Sequence, residues 1–432
     1  MNISRGIACI AAFGVLATGA GGAAAAAPQT LVVDDDRAQC AGAGFTSIQA
    51  AVDAAQPGGL IRVCPGLYAE RVTIDKPLTL KADPDAIEAL DCFQPTLPEL
   101  TTNQHAIVDP AGDAFATAFT LRADGVMVGG FVVQGTSVGI DASDSYSGYR
   151  LHHNLIWSNT LFAVDFGSDG TQQSRVDHNC IRQNRFGLGS ELDNDAVWPD
   201  LGNRIENARN LINARVDHNA TFQNRAGLEA AGPGRHDRVS FEGNVSRGDR
   251  DVILIQNSDA SAIVDNQLSP TRFGIGVGGA TTRLAVRGNR VEAGLQGIVF
   301  VPPSFFIDQF PTPVTAALVS ENIVIGQTFD GMVAAADRLH DSLLLNNVTS
   351  DNARDGIILR LANSGNTLRG NIAERNGEYG IYAQGASSNV FEANRMLGNG
   401  VLDARDDAPL TNAWIANECL TDFPTGTICE VG

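Results

Sequence analysis

The sequence predicts an all-β fold: a single-stranded parallel β-helix with about 24 residues per coil and a short capping helix near the N-terminus. Three observations lead to this prediction. The pentapeptide Arg-Val-Asp-His-Asn occurs at 175–179 and again at 215–219. Its final asparagine recurs at a nearly constant interval through most of the chain. The apolar runs between these asparagines are three to five residues long, which is typical of short strands and not of helices.

The recurring asparagine sets the period of the repeat. All but two of the intervals between successive asparagines are 22–25 residues, and the residue three positions before each asparagine is apolar. The row consists of Asn154, Asn179, Asn219, Asn244, Asn266, Asn289, Asn322, Asn347, Asn371, Asn394 and Asn417. Self-similarity at a fixed period indicates stacked repeats. About 24 residues accommodate three short strands and three turns, with coils about 4.8 Å apart.

Side-chain rows follow from this stacking. Equivalent residues of successive coils should lie above one another, so the apolar row packs inside the solenoid. We expect the asparagines to bond to one another along a turn. Because asparagine tolerates the left-handed backbone conformation better than most residues, we expect the asparagines themselves to adopt it there.

The open ends of the stack need covers, because an exposed coil end is an unpaired strand edge. Residues 48–55 form an amphipathic helical stretch that begins after Ser47 and stops at Pro57, which predicts a cap at about 40–60. A second cap is expected at about 414–432.

The chain length and the N-terminal segment suggest one exported domain. Residues 1–27 combine Arg5, an apolar run and a stretch of small residues, which is the pattern of a signal peptide. The remaining residues, 28–432, are predicted to form a single β-helix domain in a secreted or extracytoplasmic protein. No other segment is apolar enough for a membrane span.

The cysteines fit an oxidising compartment, where disulfides persist. Six cysteines follow the predicted signal peptide, and six allow 15 pairings. We favour two pairs, Cys40 with Cys64 and Cys419 with Cys429, which lie near opposite ends of the chain. The second pair would close a loop over the last coil, where Trp414 ends the apolar row.

The charge balance excludes some partners. The chain has 49 acidic and 30 basic residues and a formal net charge of −19. Such a protein repels nucleic acid and anionic membrane. It also repels a polyanionic sugar unless a cation or a local basic patch intervenes. We expect a monomer.

Two segments resemble known families. The sequences Ser-Ile-Gln-Ala-Ala-Val at 47–52 and Gly-Leu-Tyr-Ala-Glu-Arg-Val at 66–72 resemble the pectinesterase-like branch of the pectin-lyase-like superfamily. The repeats at 371–385 resemble secreted bacterial right-handed β-helix proteins. The resemblance implies a right-handed solenoid that engages carbohydrate, often an acidic polysaccharide or a cell-envelope glycan.

The resemblance does not imply one reaction. The Asp-Phe-Ile-Phe-Gly motif of pectinesterases is matched only partly, by Asp165-Phe166-Gly167. The paired aspartates and Gly-His-Gly of polygalacturonases and the Asp-Pro-His of mannuronan epimerases are missing. Repeats of this kind indicate a fold and leave the activity open.

Two long coils suggest the walls of a groove. The coils between Gly187 and Asn219 and between Gly297 and Asn322 are longer than the others, and both extra segments follow the same strand of the coil. We expect both to protrude from one edge of one sheet. They carry Trp198, Phe305 and Phe306 as candidate sugar-binding platforms; ordinary loop variation is the alternative.

An acidic row should face outward on the sheet beside these loops. Asp141 and Asp165 fall on adjacent coils, about 5 Å apart, and Glu229 follows in the same row. Two carboxylates at this distance share a cation or have one raised pKa. Such a pair could bind calcium. The same spacing also suits the two catalytic carboxyl groups of a retaining glycosidase. The alternative is a solvated acidic face.

A second constellation lies on the next sheet. Arg150, Arg175 and Arg215 should stack, with His152, Asp177 and Asp217 two residues later and His153, His178 and His218 in the following row. Arginine and histidine beside carboxylates can act as acid, base or uronate clamp. Three stacked imidazoles can also bind a transition metal. A surface Arg–Asp ladder with histidines packed in a turn is the alternative.

Three functions remain open from the sequence. The first is a lyase, hydrolase or epimerase that acts on polysaccharide in a groove over residues 139–310. It requires the acidic row and the Arg/His rows to form one site. The second is a non-catalytic envelope or sugar-binding scaffold, favoured by the missing motifs and the regular coils after Asn322. The third is periplasmic metal delivery through the histidine row.

Overall fold

The computed structural model describes residues 30–110, 116–189, 209–231, 234–300 and 312–430. The predicted signal peptide at 1–27 lies outside these residues, and so do Trp198, Phe305 and Phe306. The described chain winds through three long parallel sheets, here called A, B and C in the order in which each coil visits them. The predicted parallel β-helix is therefore confirmed.

Within the described residues, each sheet contains one strand from nearly every coil, in coil order. Sheet A contains Thr30–Val33, Gly59–Val63, Leu78–Lys81, Met127–Gly129, Arg150–His152, Ser174–Asp177, Ala214–Asp217, Ser240–Glu242, Ala262–Val264, Ala285–Arg287, Leu318–Ser320, Leu343–Leu345, Thr367–Arg369, Val390–Glu392 and Ala413–Ile415. Sheet B contains Gly66–Tyr68, Ala106–Val108, Phe131–Val133, Leu155–Trp157, Cys180–Arg182, Ala220–Phe222, Val245–Arg247, Gln267–Ser269, Arg290–Glu292, Ile323–Ile325, Val348–Ser350, Ile372–Glu374, Arg395–Leu397 and Glu418–Cys419.

The third sheet follows the same order. Sheet C contains Val72–Ile74, Thr117–Leu121, Val138–Ala142, Phe162–Phe166, Phe186–Gly189, Ala226–Ala230, Asp251–Gln256, Phe273–Gly278, Gln296–Phe300, Met332–Ala334, Ile357–Leu359, Tyr379–Ala383, Leu402–Asp406 and Asp422–Phe423. A further short pair joins Val314–Thr315 to Leu339–His340. The described residues contain two helices, α1 (Ile48–Ala54) and α2 (Pro84–Glu88).

The asparagine row is a continuous hydrogen-bonded ladder at the bend between sheets A and B. Nδ2 of Asn371 donates to Oδ1 of Asn394 in the next coil at 2.9 Å, and the backbone N–H of Asn371 donates to the same oxygen at 3.0 Å. Nδ2 of Asn371 also donates to the carbonyl oxygen of Leu344 in the previous coil at 2.9 Å. All eleven asparagines are buried. The ladder thus fixes each coil against both neighbours.

The expected left-handed conformation of these asparagines is wrong. None of the eleven has a positive φ; the residue before each asparagine has it instead, with φ of +52° at His153, +56° at His178 and +55° at His218. The bend therefore divides its task between two residues. The first turns the chain, and the asparagine satisfies the backbone groups that the turn exposes.

A second ladder runs along the bend between sheets B and C and ends on carboxylates. Asn224 donates its backbone N–H and its Nδ2 to Oδ1 of Asp249, at 2.7 and 3.0 Å. Asn399 donates the same two groups to Oδ1 of Asp403, at 3.1 and 3.0 Å. An aspartate at the end of an amide ladder can accept both bonds without having to donate to a further coil.

The predicted capping helix is confirmed as α1. Ser47 is its N-cap, and its Oγ accepts the backbone N–H of Ala50 at 3.2 Å. The Glu70 carboxylate accepts Ser47 Oγ and the backbone N–H of Ile48, both at 2.7 Å, and thereby fastens the start of the helix to the first coil. A strand of sheet A, Thr30–Val33, precedes the helix and pairs with Gly59–Val63.

The C-terminal end of the stack is covered by the last residues of the chain. The ring of Trp414 stacks on Phe391 with 3.9 Å between centroids, and its Nε1 donates to Asp406 Oδ2 at 2.8 Å. Ile428 is buried against the last coil. Oδ2 of Asp422 holds this segment by accepting the backbone N–H of Ile428 at 2.8 Å.

Three disulfides are present. Both favoured pairs, Cys40–Cys64 and Cys419–Cys429, occur, and Cys92–Cys180 is the third. Disulfides of this number are consistent with an extracytoplasmic protein. Within the described residues, no helix is both long enough and apolar enough to cross a membrane.

The buried ladder predicts a large cost for Asn371→Asp. The carboxylate would lose the amide donor, so Leu344 O and Asn394 Oδ1 would face a buried charge instead of an N–H. We expect a loss of roughly 1–3 kcal/mol in the free energy of unfolding, measured by chemical denaturation. The matched control is Asn346→Asp, an exposed asparagine in an equivalent turn. Equal stability of the two variants would contradict a bonded ladder at Asn371.

The N-terminal cover predicts aggregation when it is removed. A chain that lacks residues 28–57 would expose the edge of Gly59–Val63, which pairs with Thr30–Val33 in the intact protein, and an open edge recruits other chains. Size-exclusion chromatography with light scattering measures the outcome. A chain that starts at residue 28 is the control, and a folded monomer of the shorter chain would sink the capping interpretation.

Candidate functional site

The predicted acidic row exists on the outer face of sheet C. Asp141 and Asp165 are direct register partners on adjacent strands, and Asp165 pairs in turn with Gly189. The neighbours of Asp165 in its strand, Val164 and Phe166, point into the core, so its own side chain points outward. The side chains of Asp141 and Asp165 are nevertheless only 14% and 6% exposed. The row is therefore not a solvated acidic face at this point.

A single arginine bridges the two carboxylates. Nη1 of Arg209 lies 2.7 Å from Asp141 Oδ1, and Nη2 of Arg209 lies 3.2 Å from Asp165 Oδ2. Arg122 approaches the other oxygen of Asp141, with Nη2 2.9 Å from Oδ2. The repulsion expected between adjacent carboxylates is thus offset by guanidinium groups. Sequence analysis did not find Arg209, which lies in the first long coil and outside every row.

Asp165 is an unusual carboxyl. Burial raises its pKa to about 7; the positive charge of Arg209 opposes this shift, and the charge of Asp141 adds to it. Its Oδ1 is buried and has no hydrogen-bond partner. A carboxyl that is partly protonated at neutral pH and has one oxygen uncommitted is suited to proton transfer.

Glu229 continues the row beyond a glycine. Leu188 and Leu228 are register partners, so Glu229 lies one coil beyond Gly189 and two coils beyond Asp165. A Cβ at Gly189 would lie 3.0 Å from Cε1 of Phe162 and 3.6 Å from Oε2 of Glu229. Glycine therefore keeps the space between the two carboxyl-bearing positions free of a side chain. Their backbones are roughly 9–10 Å apart, because two coil spacings separate them.

Two phenylalanines flank this row and were not predicted. Phe162 and Phe186 are register partners, and their rings stack with 5.0 Å between centroids and 26° between planes. The guanidinium of Arg185 lies 5.6 Å from the Phe186 ring centroid. The predicted platforms Trp198, Phe305 and Phe306 lie outside the described residues. The strands that precede their segments, Phe186–Gly189 and Gln296–Phe300, do both belong to sheet C.

The predicted calcium pair does not present a calcium cage. Oδ1 of Asp141 faces Arg209 and its Oδ2 faces Arg122, so both oxygens already have a cationic partner. Calcium requires six to eight oxygen ligands. Calcium binding by Asp141 and Asp165 stays a prediction. It would require Arg209, which bridges the two carboxylates, to move away.

The Arg/Asp rows of sheet A form a ladder of ion pairs between coils. Nη2 of Arg175 lies 2.6 Å from Asp217 Oδ2 in the next coil, and Nη2 of Arg215 lies 3.0 Å from Glu242 Oε2 in the coil after that. Burial alone would raise the pKa of Asp217, but hydrogen bonds from Arg175 and His218 outweigh it and lower the pKa. Asp217 is therefore a charged and well-partnered member of the ladder.

The histidine row is a stack of rings at the bend. The centroids of His153 and His178 are 5.1 Å apart and those of His178 and His218 are 5.3 Å apart, with nearly parallel planes. Nδ1 of His218 lies 2.9 Å from Asp217 Oδ2, and Nδ1 of His178 makes the same contact to Asp177 at 3.1 Å. The pKa of His152 is lowered to about 4 by burial and by the neighbouring Arg150 and His153. This arrangement matches the surface-ladder alternative.

The described residues contain one group of three or more histidine, cysteine or acidic side chains whose ligand atoms all lie within 4.8 Å of one another. It consists of Asp34, Asp35 and Asp36, at the N-terminal end of the stack. The histidine row is not part of it, so metal binding by His153, His178 and His218 stays a prediction.

The two constellations lie on different sheets. The charged groups that act on Asp165 are Arg209, Asp141, Asp144 and Arg122, and none of them belongs to the rows of sheet A. The structure therefore does not unite His152, His178, His218, Arg175 and Arg215 with Asp141, Asp165 and Glu229. A site built on Asp165 must use the outer face of sheet C.

Comparisons with known proteins agree with the fold. Residues 312–402 match the family of right-handed β-helix regions. The chain resembles the catalytic unit of a thermostable GH87 α-1,3-glucanase from Streptomyces thermodiastaticus strain HF3-3, with a TM-score of 0.52, 15% identity and coverage of 93% of this chain and 71% of that one. It also resembles a mannuronic acid-specific polysaccharide family 6 lyase from human gut microbiota, with a TM-score of 0.49, 11% identity and coverage of 91% and 92%.

The protein is therefore a right-handed parallel β-helix protein, as the sequence predicted. A search of curated proteins found no match. At 15% identity the likeness to the glucanase establishes the fold alone, and the activity must be argued from the site.

The raised pKa of Asp165 predicts a pH-dependent gain of stability for Asp165→Asn. The folded carboxyl binds its proton up to about pH 7, whereas the unfolded one releases it near 3.8. Folding stability therefore falls as the pH rises between these values. Asparagine does not titrate, so the melting temperature of the variant minus that of the wild type should increase from pH 4 to pH 7.

The control is Asp351→Asn, far along the stack. A hydrogen bond from Arg375 lowers the pKa of Asp351, so this substitution should give no such gain. A melting-temperature difference for Asp165→Asn that stays flat with pH would contradict a raised pKa at this carboxyl.

Proposed function

We propose that the protein is a secreted polysaccharide-processing enzyme whose groove lies on the outer face of sheet C, with Asp165 as its proton-transferring group. One observation carries the proposal. Asp165 is a buried carboxyl with a pKa near 7 and one unpartnered oxygen, held by Arg209 beside a second carboxylate. Packing of the coils does not need a carboxyl there, because later positions of the same row are Gly276 and Val299.

The geometry favours hydrolysis with Asp165 as general acid. Its proton would pass to the glycosidic oxygen as the bond to the sugar carbon breaks. Arg209 orients the carboxyl and pairs with Asp141, which makes Asp141 a positioning residue and not the nucleophile. Glu229 is the candidate base that takes a proton from the attacking water.

This assignment replaces the retaining pair suggested by Asp141 and Asp165. Retaining enzymes hold their carboxyl groups about 5–5.5 Å apart, and inverting enzymes about 6.5–9.5 Å apart. The backbone spacing of Asp165 and Glu229, roughly two coils, is compatible with the second class. Asp141 is engaged by two guanidinium groups and is poorly placed for nucleophilic attack.

A neutral glycan fits this face better than an acidic one. Asp141, Asp144, Asp165 and Glu229 lie on or beside it, and Arg122 and Arg209 are already paired with Asp141. A uronate chain would meet repulsion from these carboxylates. The partly exposed ring of Phe186, which stacks on the buried ring of Phe162, offers an apolar surface of the kind on which sugar rings pack.

A non-catalytic scaffold is the second candidate. The coils after Asn322 carry unbroken amide ladders and surface ion pairs such as Arg369 with Glu392. Such regularity suits a structural role. A panel of polysaccharides, assayed with and without calcium, separates the classes: new reducing ends indicate a hydrolase, an unsaturated product a lyase, and retention without turnover a binding module.

The proposed acid predicts the behaviour of two variants. Asp165→Asn should lower turnover of a hydrolysed polysaccharide by about 10²–10⁴-fold and leave binding intact. In the wild type kcat/KM should fall as the pH rises through about 7, because the acid loses its proton. Since the charge of Arg209 lowers the pKa of Asp165, Arg209→Met should move this limb of the profile to higher pH.

Asp351→Asn serves as the control and should retain wild-type turnover and the wild-type pH profile. Equal activity of Asp165→Asn and Asp351→Asn would remove Asp165 from the mechanism. If Asp165→Asn loses turnover but Arg209→Met leaves the pH profile of kcat/KM unchanged, then Arg209 does not set the pKa of Asp165.

A further inference from the structure

We propose that the protein has a second ligand site on a different face: a cleft on sheet B that binds a neutral saccharide chain over Trp157. This site does not depend on the proposed chemistry at Asp165, because it uses other residues on another sheet. A cavity of about 490 Å³ lies between the outer face of sheet B and the segment 95–100. Its volume is within the range of small-ligand sites.

The floor of the cleft is a fixed aromatic ring. Asp109, Gln134 and Trp157 occupy one outward row on successive strands of sheet B. Nε1 of Trp157 donates to Gln134 Oε1 at 2.8 Å, and Nε2 of Gln134 donates to Asp109 Oδ2 at 3.0 Å. This chain of hydrogen bonds sets the orientation of the half-buried indole before any ligand arrives. A rigid aromatic surface binds with little loss of conformational entropy.

The wall of the cleft is tied to the same sheet. Arg182 follows Trp157 in the outward row and is fully buried. Its guanidinium donates to the carbonyl oxygens of Cys92, Gln94 and Pro95, at 3.1, 2.8 and 3.2 Å. The Cys92–Cys180 disulfide anchors the same segment to the strand that contains Arg182, two residues before it. The start of the wall is therefore held against the sheet by covalent and charge-assisted bonds.

The residues that line the cleft indicate which class of ligand it binds. Trp157, Leu97 and Leu100 give apolar surface, while the amides of Gln134 and Gln183 and the hydroxyl of Thr96 give donors and acceptors. A sugar ring presents both an apolar face and hydroxyl groups, so it matches this mixture. The described residues that line the cleft include Glu99 and no lysine, arginine or histidine. An anionic ligand would therefore meet repulsion, which makes the expected saccharide neutral.

Isothermal titration with neutral glucose-, xylose- and mannose-based oligosaccharides, and with oligogalacturonate, tests the proposal. At least one neutral oligosaccharide should bind the full chain, and oligogalacturonate should bind more weakly. Trp157→Ala should weaken the neutral ligand by about tenfold or more, as removal of a central aromatic anchor does. Phe329→Ala removes an exposed aromatic residue far along the stack and should leave binding unchanged.

A second variant covers the case in which Trp157→Ala fails to fold. Glu99→Trp places a large side chain in the cleft from an exposed position on the wall and should block binding while the melting temperature stays near that of the wild type. Failure of every neutral oligosaccharide to bind, equal affinity of Glu99→Trp and the wild type, or tighter binding of oligogalacturonate would each overturn the proposal.

Discussion

From Asn154 onward the fold depends on one constraint: a buried amide in each coil bonds to the coil before it and, until the last asparagine, to the coil after it. Each asparagine of the ladder between sheets A and B donates forward to the next asparagine and backward to a carbonyl, as Asn347 does to Asn371 and to Val319. A coil shifted by one residue would leave buried amides and carbonyls unpaired, at a cost of about 1–3 kcal/mol for each group. The ladder thereby sets the register of all three sheets. It also determines which side chains of distant coils become neighbours.

This constraint explains how much of the molecule the sequence predicts. Because register follows from the asparagine spacing, the partners Asp141 with Asp165 and Arg175 with Arg215 could be named from the sequence, and both pairs occur. The ladder did not reveal which residue turns the chain. Residues outside the period could not be placed, which is why Arg209 and the cleft wall at 95–100 were missed. The burial of Asp165 was missed too. The position of a residue in a row determines whether its side chain points inward or outward, but not how much of that side chain neighbouring segments bury.

Sheets A and C show how the same residue type acquires opposite properties. Asp217 and Asp165 are both buried aspartates on outward rows of the same solenoid. Asp217 accepts bonds from Arg175 and His218, and its pKa is lowered. Asp165 forms an ion pair with Arg209 and lies beside the Asp141 carboxylate, and its pKa is raised. The two pKa values shift in opposite directions because Asp217 has more hydrogen-bond donors than Asp165 to offset the cost of burying the charged form. A ladder that saturates its charges stabilises the stack, whereas an undersaturated carboxyl retains free energy that can be used for proton transfer.

The unsaturated carboxyl lies where the period of the repeat is broken. A regular coil offers each outward position only its neighbours one coil away, and these repeat the same chemistry. A longer coil can bring a residue from outside the rows, and Arg209 reaches the Asp141–Asp165 pair from the longest interval of the asparagine row. The segment 95–100 does the same on sheet B, where it covers Trp157 from outside the strands. In this solenoid the ladders supply rigidity, and the irregular coils supply the contacts that could make a site.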